Sequence, residues 1–397
     1  MKKVLIFGSF DIIHPGHMFV IEQAKKFGQP FVCLALDQTI EKVKGQSPFY
    51  PLEERQRQLE SLGLTAYPGS TTDKYDVFRR VSPDIILLGH DQDTFVAGLE
   101  EVIRNEKFQT EIIRLPEFQR ENFQSNKLRK LFAASDAGFL LINKPVGEPS
   151  FRTISQLRKI TGQKQIGFAG TLDPAASGLL VIGINDATKL LDLWHGFSKE
   201  YVAEVTLGAT STTYDREGVI TTPSLRATPP FKGGDTPLES PLIKGGESVS
   251  LERSLVEKEL QKFIGTIQQI PPMYSAKSVD GKRLYELARE GKEVERKPAT
   301  VTIHSLEIVE YSYPILKLKV ICSTGTYIRS LAHDLGQVLG VGAYLSALER
   351  TAIGPYRLEQ AVTIGEISVD NWPKMFIAKQ AWLDSLNSQG LTPATVK

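Results

Sequence analysis

Two short stretches hold side chains that could do chemistry. In GSFDIIHPGH, residues 8–17, His14 and His17 stand three apart around a Pro-Gly turn, where a short apolar run meets a helical pattern. Backbone N–H groups and the helix dipole at such a junction favour phosphate, and imidazoles there can donate hydrogen bonds as charge builds during phosphoryl transfer. A metal pair and two satisfied structural histidines are the rival readings, and no further ligand follows at a useful spacing. In GFAGTLDPAASGLLVIG, residues 167–183, Asp173 is the one carboxylate among glycines, alanines and aliphatic residues. Asp173-Pro174-Ala175-Ala176 alone reads as a helix start, with Asp at the cap and Pro at the first helical position. A carboxylate can also serve as a nucleophile, so the surrounding elements must decide.

VLIFG (4–8) reads as a short buried strand, and residues 17–27 repeat apolar positions at helical spacing. FVCLAL (31–36), the helical EERQRQLESLG and DIILLG (84–89) continue the alternation, which predicts a parallel α/β sheet of Rossmann type. A helix from Ser125 to Ala134 closes it, and the polar break ASDAG (134–138) puts a domain boundary near residue 136. Beyond it, YVAEVTLGA, ATVTIHSLEIVEY and ILKLKVIC alternate as strands of a mostly antiparallel mixed sheet in an α+β domain. Residues 222–250 hold two imperfect copies, PPFKGGD and SPLIKGGE, in a segment rich in proline, glycine and serine. That composition buries little apolar surface and predicts a disordered insertion.

The 397 residues suit two domains, 1–135 and 136–397, each with its own core. At 41% hydrophobic and 23% charged, the chain is globular in composition. Cys33 and Cys322 are too few for a disulfide framework or a thiolate zinc site, and a reducing compartment fits. The opening MKKVLIFGSF is short of a signal peptide or a membrane span, which gives a cytoplasmic expectation. Net charge is +1, with 18 basic and 18 acidic side chains in residues 1–135 and 29 and 28 in the rest. There is no overall basic excess, so any RNA site must be a local patch.

Residues 1 to about 135 resemble the HxGH nucleotidyltransferase superfamily, which includes cytidylyltransferases and FAD synthetases. The likeness is carried by GSFDIIHPGH, KVKG (42–45), LLGHDQ (87–92) and SNKLR (125–129), with Asn126 where a second Ser or Thr is usual. It implies a nucleotide site formed by Gly8, Phe10, His14, His17, Lys44, Asp91, Ser125 and Arg129. It further implies Mg2+ with ATP or CTP, transfer of a nucleotidyl group to a phosphorylated acceptor, and loss of pyrophosphate. The KG segment and GHDQ look more like archaeal-type FAD synthetases than like glycerol-3-phosphate cytidylyltransferases, which would make FMN the acceptor.

From NKPVG (143–147) to about residue 365 the chain resembles TruB-type tRNA pseudouridine synthases. Seven blocks occur in order: NKPVGEPS, GFAGTLDPAASGLL, NDATKLL, KEYVAEVTLGATSTTYDREG, PPMYSAKSVDGKRLYELAREG, CSTGTYIRSLAHDLG and LERTAIGPY. This ordered series outweighs the reading of Asp173 as only a cap, although it could cap a helix as well. The resemblance implies isomerisation of uridine-55 in the TΨC arm of tRNA, with no cofactor and no metal. It makes Asp173 the nucleophile or the stabiliser of a sugar cation, which requires an ionised carboxylate. Burial alone would raise its pKa, so a cation is needed, and Arg329 matches the family's partner. Tyr201 corresponds to the tyrosine that packs on the flipped base and assists proton transfer from carbon. Tyr327 and Leu348 match residues lining the base pocket. Lys144, Lys277, Lys282, Arg283 and Arg289 are candidate phosphate contacts, with a solvated charged face as the alternative.

Three departures stand out. Phe168 occupies the position of a family histidine, so an apolar or stacking contact replaces a polar one; Glu349 stands where arginine is usual; and the chain ends too soon for the carboxyl-terminal RNA-binding domain of many members. The expected whole is a bifunctional enzyme with tRNA, a nucleoside triphosphate and a phosphorylated acceptor as partners. A tRNA-binding or folding module with weak synthase activity, or a protein whose main activity is nucleotidyl transfer, are the alternatives.

Overall fold

The computed structural model describes residues 1–90, 92–93, 95–116, 125–222, 251–275, 278–279, 282–284 and 294–388. The chain forms two compact units, Met1–Gly138 with Ile377–Lys397, and Phe139–Phe376.

The first unit runs β1 (Lys3–Gly8), α1 (Pro15–Phe27), β2 (Gln29–Leu34), α2 (Asp37–Lys44), α3 (Leu52–Ser61), β3 (Thr65–Pro68), α4 (Asp76–Val81), β4 (Ile85–Leu88), α5 (Val96–Asn105), β5 (Glu111–Arg114) and α6 (Ser125–Ala133). The strands pair in parallel in the order β3-β2-β1-β4-β5. This is the Rossmann-type alternation expected from the apolar runs. The side-chain alternation of β1 explains why a continuous apolar run is needed: Val4 and Ile6 enter one core, Leu5 the other, and all three are fully buried.

The second unit is built on a mixed sheet. Its elements are β6 (Gly138–Lys144), α7 (Ser150–Thr161), β7 (Ile166–Ala169), β8 (Ala176–Ile184), β9 (Lys199–Leu207), the short β10 (Thr210–Ser211) and β11 (Ile220–Thr221), α8 (Arg253–Leu260), β12 (Gly265–Gln269), the short β13 (Ser278–Val279) and β14 (Lys282–Arg283), β15 (Ala299–Ser312), β16 (Ile315–Cys322), α9 (Ile328–Val338), β17 (Ala343–Ile353) and β18 (Tyr356–Arg357). The sheet order is β12-β15-β16-β9-β17-β8-β6, with β7 added on β8 and β18 on β17. Pairings around β9 are antiparallel, whereas β17 runs parallel to β8. Two apolar cores flank the centre of the sheet, and Tyr201 and Leu348 pack against both. Residues 223–250 of the insertion lie outside the described residues.

The structure differs from the sequence reading at the carboxyl end. Residues from Ile377 group with the first unit, not with the domain drawn as 136–397. The last helix, α10 (Lys379–Ser388), buries Trp382, Leu383 and Leu386. Lys379 Nζ donates to the Leu131 carbonyl at 2.6 Å and to that of Ala134. Those are carbonyls at the end of α6, which have no partners within their own helix, and an ammonium satisfies them. Among the described residues no helix is long and apolar enough to cross a membrane.

Candidate active site

Asp173 lies on the connection from β7 to β8. No helix follows it: a turn closes with Ala176 N–H donating to the Asp173 carbonyl at 3.1 Å, and β8 starts at once. The capping reading is thereby corrected, because the antiparallel β7–β8 pairing resumes the sheet before a helical turn could form. The loop is held on both sides of the carboxylate. Ser150 Oγ donates to the Leu172 carbonyl at 2.8 Å and accepts from Leu172 N–H at 3.1 Å, while Gly147 N–H donates to the Pro174 carbonyl at 2.8 Å.

Arg329, in the first turn of α9, is 5% exposed and reaches this loop. Its Nε lies 2.9 Å from Asp173 Oδ2 and one Nη lies 3.5 Å from Asp215 Oδ2. It also donates to the carbonyls of Tyr274 at 2.7 Å and Thr213 at 3.3 Å. Asp215 is itself fixed, accepting from Thr213 Oγ1 at 2.5 Å and Glu217 N–H at 3.0 Å. Burial pushes the Asp173 carboxyl above its ordinary range, with the Arg329 guanidinium pulling it down and Asp215 pushing it up. The side chain still keeps 41% of its surface open, so a reacting carbon could approach it. The cleft in front is lined by Asp173, Ala176, Asp215, Arg329, Leu345 and Leu348.

Tyr201, on β9, is half-buried with Leu348 on the adjacent β17 and Phe168 on β7, and all three pack against one apolar cluster. Burial raises the phenol above its usual range. Tyr327 precedes α9, and the buried Gln269 clamps its backbone, donating to its carbonyl at 3.0 Å and accepting from its N–H at 2.7 Å. Lys144 does not fit the expected phosphate contact. It is fully buried, its ammonium donating to the carbonyls of Pro145 at 2.9 Å and Glu148 at 2.7 Å, and burial pushes it down to about 8. Lys277 and Arg289 fall outside the described residues, as do the side chains of Lys282 and Arg283. Asp215, Ser150 and Gln269 escaped the sequence reading. The signal for Asp215 was its place in TTYDREG, a polar loop whose use depends on a partner over a hundred residues away.

In the first unit the GSFD turn is braced from three directions. Gly8 leaves room for the Phe10 ring, which lies 2.7 Å from where a Cβ would sit. The buried Asp11 accepts from Phe49 and Tyr50 N–H at 2.7 and 3.0 Å and pairs with Arg129 at 3.0 Å. Arg55, fully buried, donates to the Ser9 carbonyl at 2.7 Å and the Asp37 carboxylate at 2.5 Å. His14 caps α1, its Nδ1 accepting from Gly16 N–H at 3.2 Å, and stacks on His17 at 3.9 Å. His17 Nδ1 lies 3.1 Å from the Ile12 carbonyl, which fits an Nδ1–H donor. Burial and Lys44 push His17 down to about 4, and His14 is lowered too, so both rings are neutral near pH 7. Lys44 Nζ donates to Ser9 Oγ at 2.9 Å. The structure thus gathers Gly8, Phe10, His14, His17, Lys44 and Arg129, although Arg129 is engaged with Asp11 and the Ser47 carbonyl. Asp91 and the Ser125 side chain lie outside the described residues.

Comparison with known proteins places this geometry in a class. Residues 158–231 and 238–328 match the model of the TruB family pseudouridylate synthase N-terminal domain, and residues 5–131 match the cytidylyltransferase-like model. Residues 329–385 match the tRNA pseudouridylate synthase B C-terminal domain model. A tRNA pseudouridine synthase B of Dehalococcoides mccartyi is 41% identical over 230 residues, covering 58% of this chain and 69% of that protein. One of Protochlamydia amoebophila is 44% identical over 231 residues, covering 58% of this chain and 79% of the relative. A chain of a Cbf5-Nop10-Gar1 complex crystal structure is 23% identical, with a TM-score of 0.44 over 66% of this chain and 63% of that one. The chain belongs to the TruB family of pseudouridine synthases and carries a cytidylyltransferase-like domain at its amino end.

Proposed function

We propose that the second unit converts uridine-55 in the T arm of tRNA to pseudouridine, with Asp173 as the group acting on the sugar. The observation that carries this reading is the ion pair of a half-exposed Asp173 with the buried Arg329. Making pseudouridine breaks the bond between N1 and C1′, turns the uracil, and forms a bond from C5 to C1′. The Asp173 carboxylate attacks C1′, or lies against the positive charge there, while the N1–C1′ pair leaves on the uracil. After C5 has bonded to C1′, C5 loses its proton and N1 gains one, so no oxidant and no group donor is consumed. Arg329 keeps the carboxylate ionised and oriented, and Tyr201 with Leu348 forms the apolar wall for the flipped base. Phe168 offers a stacking surface in place of the family's histidine. Incubating the protein with a tRNA transcript and mapping modified positions tests the reading: pseudouridine at 55 alone is expected, and an unmodified transcript overturns it.

For the first unit we propose transfer of AMP from ATP to FMN, supported by the convergence of His14, His17 and Lys44 at the start of α1. Neutral His14, whose Nδ1 accepts from Gly16 N–H, can donate to phosphate from Nε2 without the desolvation penalty of burying a cation, while neutral His17, protonated at Nδ1, packs against it. Mg2+ would be carried on the triphosphate, as is usual for nucleotide-dependent transfer. Pyrophosphate release from ATP or CTP in the presence of FMN is the test, and its absence with both nucleotides would reject this acceptor.

A further inference from the structure

Arg350 is a cation buried in the middle of β17, with 1% exposure, and it meets no carboxylate within ion-pair distance among the described pairs. The register sets Arg350 opposite Tyr201 on β9 and opposite Gly178 on β8. Gly178 has φ +104, and a Cβ there would lie 2.4 Å from the Arg350 carbonyl oxygen, so glycine is what allows β8 to come this close.

The guanidinium holds two main-chain carbonyls. Its Nε donates to the Leu179 carbonyl at 2.7 Å and an Nη donates to the Gly170 carbonyl at 2.8 Å, while the strand register sets Tyr201 beside it. Gly170 opens the loop that carries Asp173. A guanidinium has donors only, and two of its donors are spent on these carbonyls. A buried charge in a strand otherwise suited to apolar side chains is costly, and it persists here by satisfying main-chain oxygens that an aliphatic residue would leave bare.

We propose that Arg350 is a positioning residue for the isomerisation, its guanidinium holding the Asp173 loop through Gly170 and tying that loop to the strand pair that carries Tyr201. The proposal rests on the pseudouridine synthase reading. Arg350 acts through these neighbours, so its loss should slow the bond-changing step and leave RNA capture intact.

The test uses the full chain, a T-arm RNA hairpin and the wild type beside Arg350→Lys and Arg350→Met. Wild-type activity is the control: no pseudouridine from it rejects the parent reading, not the role of Arg350. With an active wild type, the single-turnover rate of Arg350→Met should fall about a hundredfold, while hairpin affinity stays within about threefold. Arg350→Lys, which keeps the charge but reaches fewer acceptors, should recover part of the rate. It also carries the test if the Met variant fails to fold. A folded Arg350→Lys with wild-type single-turnover rate, or a loss confined to RNA affinity, overturns the proposal.

Discussion

Asp173 Oδ2 lies 2.9 Å from the Nε of Arg329, and the same guanidinium is shared with Asp215 at 3.5 Å. The site therefore has two carboxylates lining the cleft and one buried cation, with Asp173 the more open of the two. Its chemistry depends on how that charge is divided.

The pH dependence of the single-turnover rate should report Asp173. The ionised carboxylate is the working form, and burial holds its pKa above the ordinary value of about 3.9, so the rate should fall as pH drops through that raised value. Arg329 opposes the shift, and Arg329→Gln should therefore move the acid limb further up and lower the rate at pH 7 by at least about tenfold. An unchanged or lower limb in that variant would contradict the ion-pair role.

Asp215→Asn should move the limb the other way. Its charge raises the Asp173 pKa, so removing it should shift the acid limb down, while loss of the second anchor for Arg329 should slow the reaction about tenfold. A downward shift with slower turnover separates orientation from charge. An upward shift would show that Asp215 acts on Asp173 in some other way.

Much of this was legible in sequence. The period of β1, β2 and β4 is that of strands buried on both faces, and the spacing of His14 and His17 at a strand-to-helix junction fixed their neighbourhood. Asp173 stood out because it is the one charge in an apolar block. What stayed hidden were partners brought in by topology. Arg350 in LERT and Asp215 in TTYDREG look like surface charges until β9, β17 and α9 are assembled around them. Lys144 illustrates the opposite error, since only the fold reveals that its ammonium is wrapped by the carbonyls of its own turn. The allegiance of α10 was likewise unreadable, because an amphipathic pattern gives a buried face but not the domain that buries it.

The position of α10 predicts an unequal effect of truncation. A chain ending at Phe376 loses the buried Trp382, Leu383 and Leu386 and the Lys379 contacts to α6, all within the first unit. Removing three such side chains withdraws about 5–8 kcal/mol of apolar burial, enough to unfold a domain of ordinary stability. Hydrogen exchange should show the 1–138 region unprotected and the 139–376 region unchanged, with pseudouridine formation retained. Equal protection of residues 1–138 in both chains would refute the assignment of α10.

The lowered histidines make the first unit acid-sensitive. The unfolded chain binds a proton at His17 near pH 6.5, but the folded site resists until about 4. A depressed pKa on a base means that stability is lost as pH falls through this window, by about 1–3 kcal/mol. His17→Gln should flatten the decline in melting temperature of the first unit between pH 6.5 and 4.5. The same slope in the variant would place the sensitivity elsewhere.

The most direct measurement compares wild type with Asp173→Asn on a T-arm RNA, scoring pseudouridine by mass and hairpin affinity in the same samples. The amide keeps the shape of the side chain and removes the charge held by Arg329. The expected result is no detectable pseudouridine from the variant with RNA affinity close to wild type. Wild-type levels of product from Asp173→Asn would contradict the central claim that this carboxylate acts on the sugar.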